Sequence, residues 1–113
     1  MIIIGILAAI AIPVFLSQRG QARDSSTKAD VTTVGKEMAT YYVDNEGLPP
    51  TVSVVGSSLM LGADRVGNAS MGTAVSSQTG ADNATWCVSM TNLGGTTRTY
   101  QFSAQGGLAT GAC

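Results

Sequence analysis

The chain opens with MIIIGILAAIAIPVFL, sixteen residues without a polar side chain, and its first charge is Arg19. Nothing else constrains the fold as tightly, because a run this apolar must be withdrawn from water. As a helix, Met1 to Leu16 extends about 24 Å at about 1.5 Å per residue. Crossing about 30 Å of hydrocarbon takes about 20 such residues. The run is therefore slightly short for a bilayer span. A secretory signal peptide would place positive charge before the run and a small-x-small cleavage site after it. Here the run comes first and polar, helix-compatible sequence follows. The stretch reads as the remainder of a longer apolar segment.

Beyond Arg19 the pattern becomes amphipathic. Val31, Val34, Met38 and Tyr41 fall on one helical stripe, and Lys28, Asp30, Lys36 and Glu37 are expected to face water. Asp24 and Lys28 stand at i, i+4 in the favourable order for an ion pair. The run Arg23-Asp24-Ser25-Ser26-Thr27 can cap a new helix or continue the old one. Continuation is favoured, since no Gly-Pro punctuation separates them. The helix ends at DNEGLPP, where Gly47 suits a left-handed position and Pro49-Pro50 forbid resumption. One helix from near Met1 to about Asn45 would be about 65 Å long. A domain of this size cannot cover that length, so the first half must be buried in something other than its own chain.

From Thr51 the period shortens. TVSVV (51–55) and SLML (58–61) are short β-like runs around Gly56. TWCVSMTN (85–92) alternates with Trp86, Val88 and Met90 on one face, and TTRTYQFSA (96–104) with Tyr100 and Phe102 on one face. Gly94-Gly95 between them is a hairpin signal. Residues 62–83 have few apolar anchors and read as a surface loop with room for a short strand or turn. The expected fold class is α+β, a long N-terminal helix whose C-terminal half packs on a small antiparallel sheet. Residues 1–23 are the projecting hydrophobic helix. Residues 24–113 are the globular domain, with helix over 24–45 and loop and sheet over 51–113.

Composition excludes several functions. A net charge of −1 leaves no basic field to hold nucleic acid by its phosphates. Histidine is absent, and with it the commonest general base and metal ligand. No nucleophile–base pair, Gly-rich phosphate loop or paired carboxylates appear, so the chain reads as a non-enzyme with no cofactor. Asp44, Glu46, Asp64 and Asp82 are scattered, with no dense D-x-D loop, and no metal site is assigned. The triplets Asn68-Ala69-Ser70 and Asn83-Ala84-Thr85 match N-x-[ST], but such triplets arise by chance in a Ser/Thr-rich chain. Cys87 and Cys113 match neither a CxxC nor a zinc pattern. In an exported protein such a pair forms a disulfide; two free thiols are the alternative. The closed loop of about 27 residues would contribute about 3–4 kcal/mol by chain entropy. It would also pin the tail SAQGGLATGAC, which shows few other anchors.

These residues bear a resemblance to a known family. GILAAIAIP, with Phe15 and Leu16, the Gln/Arg-containing turn after it, and Ala22, Lys28 and Asp30 further along, resembles the N-terminal helix of type IV pilins. Tyr41-Tyr42 near the helix end, the exit Gly47-Leu48-Pro49-Pro50 and the late cysteine pair continue the likeness. The N-terminal part covers about 45 residues and is specific; the C-terminal part resembles the family in layout alone. Pilins carry a short basic leader and a glutamate just inside the mature N-terminus. This sequence shows neither, so those roles pass to no residue here.

The resemblance implies a structural subunit of an extracellular filament on a bacterial cell surface. That subunit would sit in the cytoplasmic membrane before assembly, then polymerise as many identical copies. Its partners would be the pilus assembly machinery, minor pilins and its own copies, with no direct nucleic-acid site. A pseudopilin of a type II secretion or DNA-uptake system shares the same helix and is the alternative. The implied assembly helix comprises Ile2, Ile3, Ile4, Gly5, Ile6, Leu7, Ala8, Ala9, Ile10, Ala11, Ile12, Pro13, Val14, Phe15 and Leu16. Independently of the resemblance, small Gly5, Ala8, Ala9 and Ala11 let neighbouring helices approach. Pro13 frees the carbonyl near Ala9, so a kink or extended stretch is expected between Gly5 and Pro13 in the assembled state.

Overall fold

The structure, a computed structural model, describes residues 2–113, without the side chains of residues 10–13. Met1 and the side chains of Ile10, Ala11, Ile12 and Pro13, which the sequence assigns to the assembly helix, lie outside the described residues. A single helix, α1, runs from Ile2 to Asp44 over 43 residues. The helix runs continuously from Gly5 through Pro13 in this single chain. Its length sets the longest dimension of the molecule, 67 × 27 × 18 Å. The helix stops where the sequence places its end, one residue before Asn45, whose side-chain amide donates back to the Tyr41 carbonyl at 2.8 Å.

Two antiparallel sheets follow. The first has the order β1-β2-β3, from Val52–Val55, Ser58–Leu61 and Asp64–Asn68. The second has the order β4-β5-β6-β7, from Thr73–Thr79, Cys87–Asn92, Thr99–Ser103 and Gly107–Thr110. Gly56 opens the two-residue turn between β1 and β2 with φ of +63°, the backbone hand such tight turns require. Gln78 joins the sheets: its amide nitrogen donates to the Pro50 carbonyl at 2.7 Å and its oxygen accepts from the Val52 amide at 2.8 Å. The fold is thus α+β, with a long N-terminal helix against antiparallel sheet.

Residues 62–83 are not a loop. They contain β3 and β4, the outer strands of the two sheets. An outer strand needs few apolar anchors, since only one edge is paired and much of its surface meets water. Val66 and Val75 are the anchors here, both packed partly buried on the core. Register shifts between Leu59 and Met60 and between Val75 and Ser77 further break the period of two. The C-terminal tail also forms a strand. β7 pairs with β6, Leu108 opposite Phe102, and the Gly111 amide donates to the Thr99 carbonyl at 2.9 Å. The tail therefore has more anchors than the disulfide alone.

The core lies between the C-terminal half of α1 and the sheets. Val31, Val34 and Met38 are wholly buried against Leu59, Val88, Met90 and Tyr100, and Tyr41 packs partly buried at the edge. Trp86 stacks on Phe102 with ring centroids 6.1 Å apart. Gly35 is where the sheet comes closest: any Cβ there would collide with the Phe102 ring. β5 alternates as expected, but it is an inner strand and its other face is covered too. Ser89 is buried with its hydroxyl 2.7 Å from that of Ser77.

Candidate functional site

Among the described residues, the N-terminal half of α1 has no partner in its own chain. Ile2, Ile3, Ile4, Ile6, Leu7, Val14, Phe15 and Leu16 are all exposed. So are Gly5, Ala8 and Ala9, and the helix stays exposed through Arg19. Helix α1 as a whole is long and apolar enough to cross a membrane by length and composition, and none of its most apolar window is buried. A Cβ on Gly5 would meet nothing within 4 Å. Glycine costs about 1 kcal/mol relative to alanine inside a helix, and here nothing in its own chain requires it. Of the residues assigned to assembly, the described ones share this projecting half; no strand reaches them.

The head grips the helix from Gly20 onward. Any Cβ at Gly20 would collide with the Thr96 hydroxyl, so the β5–β6 connection lies directly on the helix there. One turn later, Asp24 is only 7 % exposed. Its carboxylate accepts the Thr97 amide at 2.9 Å and the Arg98 amide at 3.0 Å. Burial pushes the Asp24 carboxyl up, but hydrogen bonds from the Thr97, Arg98 and Thr96 amides and the Thr97 side chain outweigh it. The net result is a pKa below the ordinary carboxylate value. Arg98 is held at φ of +77°, a hand that non-glycine residues rarely adopt.

A second carboxylate fastens the next loop. Asp30, 6 % exposed, accepts the Ser70 amide at 2.9 Å and the Ser70 hydroxyl at 3.2 Å. Between the two carboxylates, Thr27 is wholly buried and returns its hydroxyl to the Arg23 carbonyl at 2.9 Å. Arg23 donates to the Met71 carbonyl at 2.8 Å, and Asn92 donates to the same oxygen at 3.0 Å. Two sequence readings are corrected here. Asp30 does not face water, and Asp24 forms no ion pair with Lys28. Backbone amides hold Asp24, while the Lys28 ammonium lies 5.2 Å from the centroid of the Tyr100 ring.

The signal for these residues is present in the spacing. Gly20, Asp24, Thr27, Val31, Val34, Met38 and Tyr41 follow one another by alternate steps of four and three. That is one continuous buried stripe. Its N-terminal part is polar because it meets loop amides, where the C-terminal part meets apolar strand residues.

Cys87 and Cys113 are joined in a disulfide, Cα to Cα 5.9 Å. It links the start of strand β5 to the end of the chain and closes a groove lined by Trp86, Gln101 and Ser103. Among the described residues no group of three or more Cys, Asp or Glu is arranged to hold a metal ion. Asn83 is exposed on a turn in which Asp82 accepts from the Ala84 amide and the Thr85 hydroxyl. Asn68 is bonded to the Arg65 guanidinium.

The fold and the site together define a class: an α+β protein with a long apolar helix projecting from an antiparallel, disulfide-bridged head. This arrangement is pilin-like. Comparison of the chain with protein-family models, with curated proteins and with solved structures returns no match.

Proposed function

We propose that this chain is the structural subunit of an extracellular filament of the type IV pilus kind, polymerising through residues 2–16. One observation carries the reading. An apolar helical segment projects with no partner in its own chain, while the rest of the same helix is the spine of the head. An apolar segment of this kind is stable in a bilayer or against other apolar helices, and moving between the two keeps its surface out of water. Gly5, with open space around it, favours close approach of a neighbouring helix. In the proposed fibre the helices pack at the centre and the heads face outward.

The test is intact mass spectrometry of fibres sheared from the cell surface. This chain should be their predominant protein, with a mass two hydrogens below that of the free dithiol. If the chain stays confined to the membrane fraction while fibres are made of other proteins, the filament reading is refuted. A pseudopilin role in secretion or DNA uptake would then take its place.

A further inference from the structure

The end of the head that faces the apolar helix is built differently from the opposite end. Two turns lie there, each tied to the helix through Arg23. Residue Met71 offers its carbonyl to Arg23 and Asn92, and a Cβ added at Gly94 would lie 3.6 Å from the Arg23 side chain. Each turn presents one large apolar side chain to solvent, Met71 at 82 % and Leu93 at 77 % exposure. The same end carries Arg19, Arg23 and Arg98. Its carboxylates, Asp24 and Asp30, are buried and committed to the backbone amides of the loops. The opposite end carries Asp44, Glu46, Asp64 and Asp82 against a single cation, Arg65, which lines a pocket with Thr40 and Tyr41.

We infer that this cationic, apolar-tipped end of the head seats on the anionic headgroups of the bilayer that holds the helix. The inference rests on reading residues 2–16 as membrane-inserted. The heights agree. Headgroup layers are about 5–8 Å deep on each side of the hydrocarbon. At about 1.5 Å per residue, Arg19 stands about 5 Å and Gly20 about 6 Å above Leu16. Arg23 is higher, but helical side chains tilt toward the N-terminus, and its guanidinium meets the Met71 turn. Leu93 and Met71, on turns tied to Arg23 about 10 Å above Leu16, stand at the outer edge of the headgroup layer, with their apolar side chains free to solvent. Arg19 stands within the headgroup layer, where a cation is worth about fivefold in surface occupancy. A bare bilayer anchor would need none of this. Exposed cations dominate this end and acids the other, and the acids within this end are bonded internally.

The experiment uses the full chain reconstituted in vesicles of phosphatidylcholine alone, or of phosphatidylcholine and phosphatidylglycerol in equal parts. The photoreactive residue p-benzoyl-phenylalanine replaces Leu93, Ile6 or Leu48 in turn. Lipid adducts are read by intact mass. Ile6 should label lipid in both vesicles, and Leu48, exposed beyond the far end of the helix, in neither. Leu93 should label lipid about fivefold more with phosphatidylglycerol present. Arg19→Gln with Arg98→Gln should remove that gain without changing labelling at Ile6. Labelling at Ile6 without labelling at Leu93, or equal labelling of Leu93 in both vesicles, overturns the inference and leaves the membrane helix standing. Protein–protein adducts at Leu93 in place of lipid adducts overturn it in favour of a contact between copies. Failure of Ile6 to label removes the membrane reading and the inference with it.

Discussion

Asp24 offers the sharpest test of how the head is held to the helix. Its carboxylate accepts two backbone amides from residues more than seventy positions away, Thr97 and Arg98. Hydrogen bonds to a charged group contribute about 1.5–3 kcal/mol each. Asp24→Ala removes both and leaves two amide donors facing a small cavity. Water can reach part of this turn, since Thr97 and Arg98 are exposed, so the expected cost is about 3 kcal/mol. Trp86, the sole tryptophan and only 3 % exposed, reports unfolding of the head. In a urea titration of the full chain in non-ionic detergent, a slope of about 1–2 kcal/mol per molar gives a midpoint about 1.5–3 M lower.

The pH dependence has a definite sign. The folded pKa of Asp24 is depressed, so its contribution is complete above the unfolded value and is lost as pH falls through about 4 and below. Asp24→Asn keeps one acceptor oxygen but carries no charge, so the variant should lack that acid-side loss and differ least from wild type at low pH. A cost under about 0.5 kcal/mol for Asp24→Ala, within the range of ordinary surface substitutions, would refute the reasoning. So would an unchanged difference between wild type and Asp24→Asn from neutral pH down to pH 2.

Two further substitutions test the head. Cys113→Ser should lower stability by about 3 kcal/mol through the freed loop and make the chain after Ser103 more protease-sensitive. Equal resistance to protease would show that β7 and the Gly111–Thr99 bond hold the tail alone. Gly35→Val sets a branched side chain against the Phe102 ring, so it should cost about 1–3 kcal/mol by overpacking and shift Trp86 fluorescence through the Trp86–Phe102 stack. An unchanged urea midpoint would mean that the helix and β6 can separate freely at this point.

The helix was legible because every feature that sets it is local. The apolar run, the Val31–Val34–Met38–Tyr41 stripe and the Gly47-Leu48-Pro49-Pro50 exit each act within a few residues. The β5 and β6 strands were legible for a similar reason, since both face the core and alternate with a period of two. β6 still begins later than its pattern, because Thr96, Thr97 and Arg98 are drawn into the turn that docks on Asp24. β3 and β4 escaped because outer strands interrupted by bulges leave no regular apolar trace. β7 escaped because Gly107, Leu108, Ala109 and Thr110 are mostly exposed and pair through backbone alone. Asp24 and Asp30 were misread for a physical reason. An aspartate that faces water and one that caps a distant loop have the same local sequence, and only the fold brings the amides to it.

A single continuous helix serving both as projection and as spine has a mechanical consequence. The head has no second covalent path to the projecting segment, so anything that pulls on one reaches the other through residues 17–24 and the contacts around them. Those contacts are the ones least able to shift. Thr96 leaves no room for a Cβ at Gly20, Asp24 holds the 97–98 backbone, and Asp30 holds Ser70. Apolar packing alone would let a helix slide or rotate against a sheet at small cost, since such contacts are non-directional. Hydrogen bonds to buried carboxylates are directional and costly to leave unmade. Placing Asp24 in the N-terminal part of the buried stripe, with Asp30 beside it, fixes the register of head on helix next to where the helix leaves the head. In the proposed filament, that register would set how each head is presented relative to the shared core of helices.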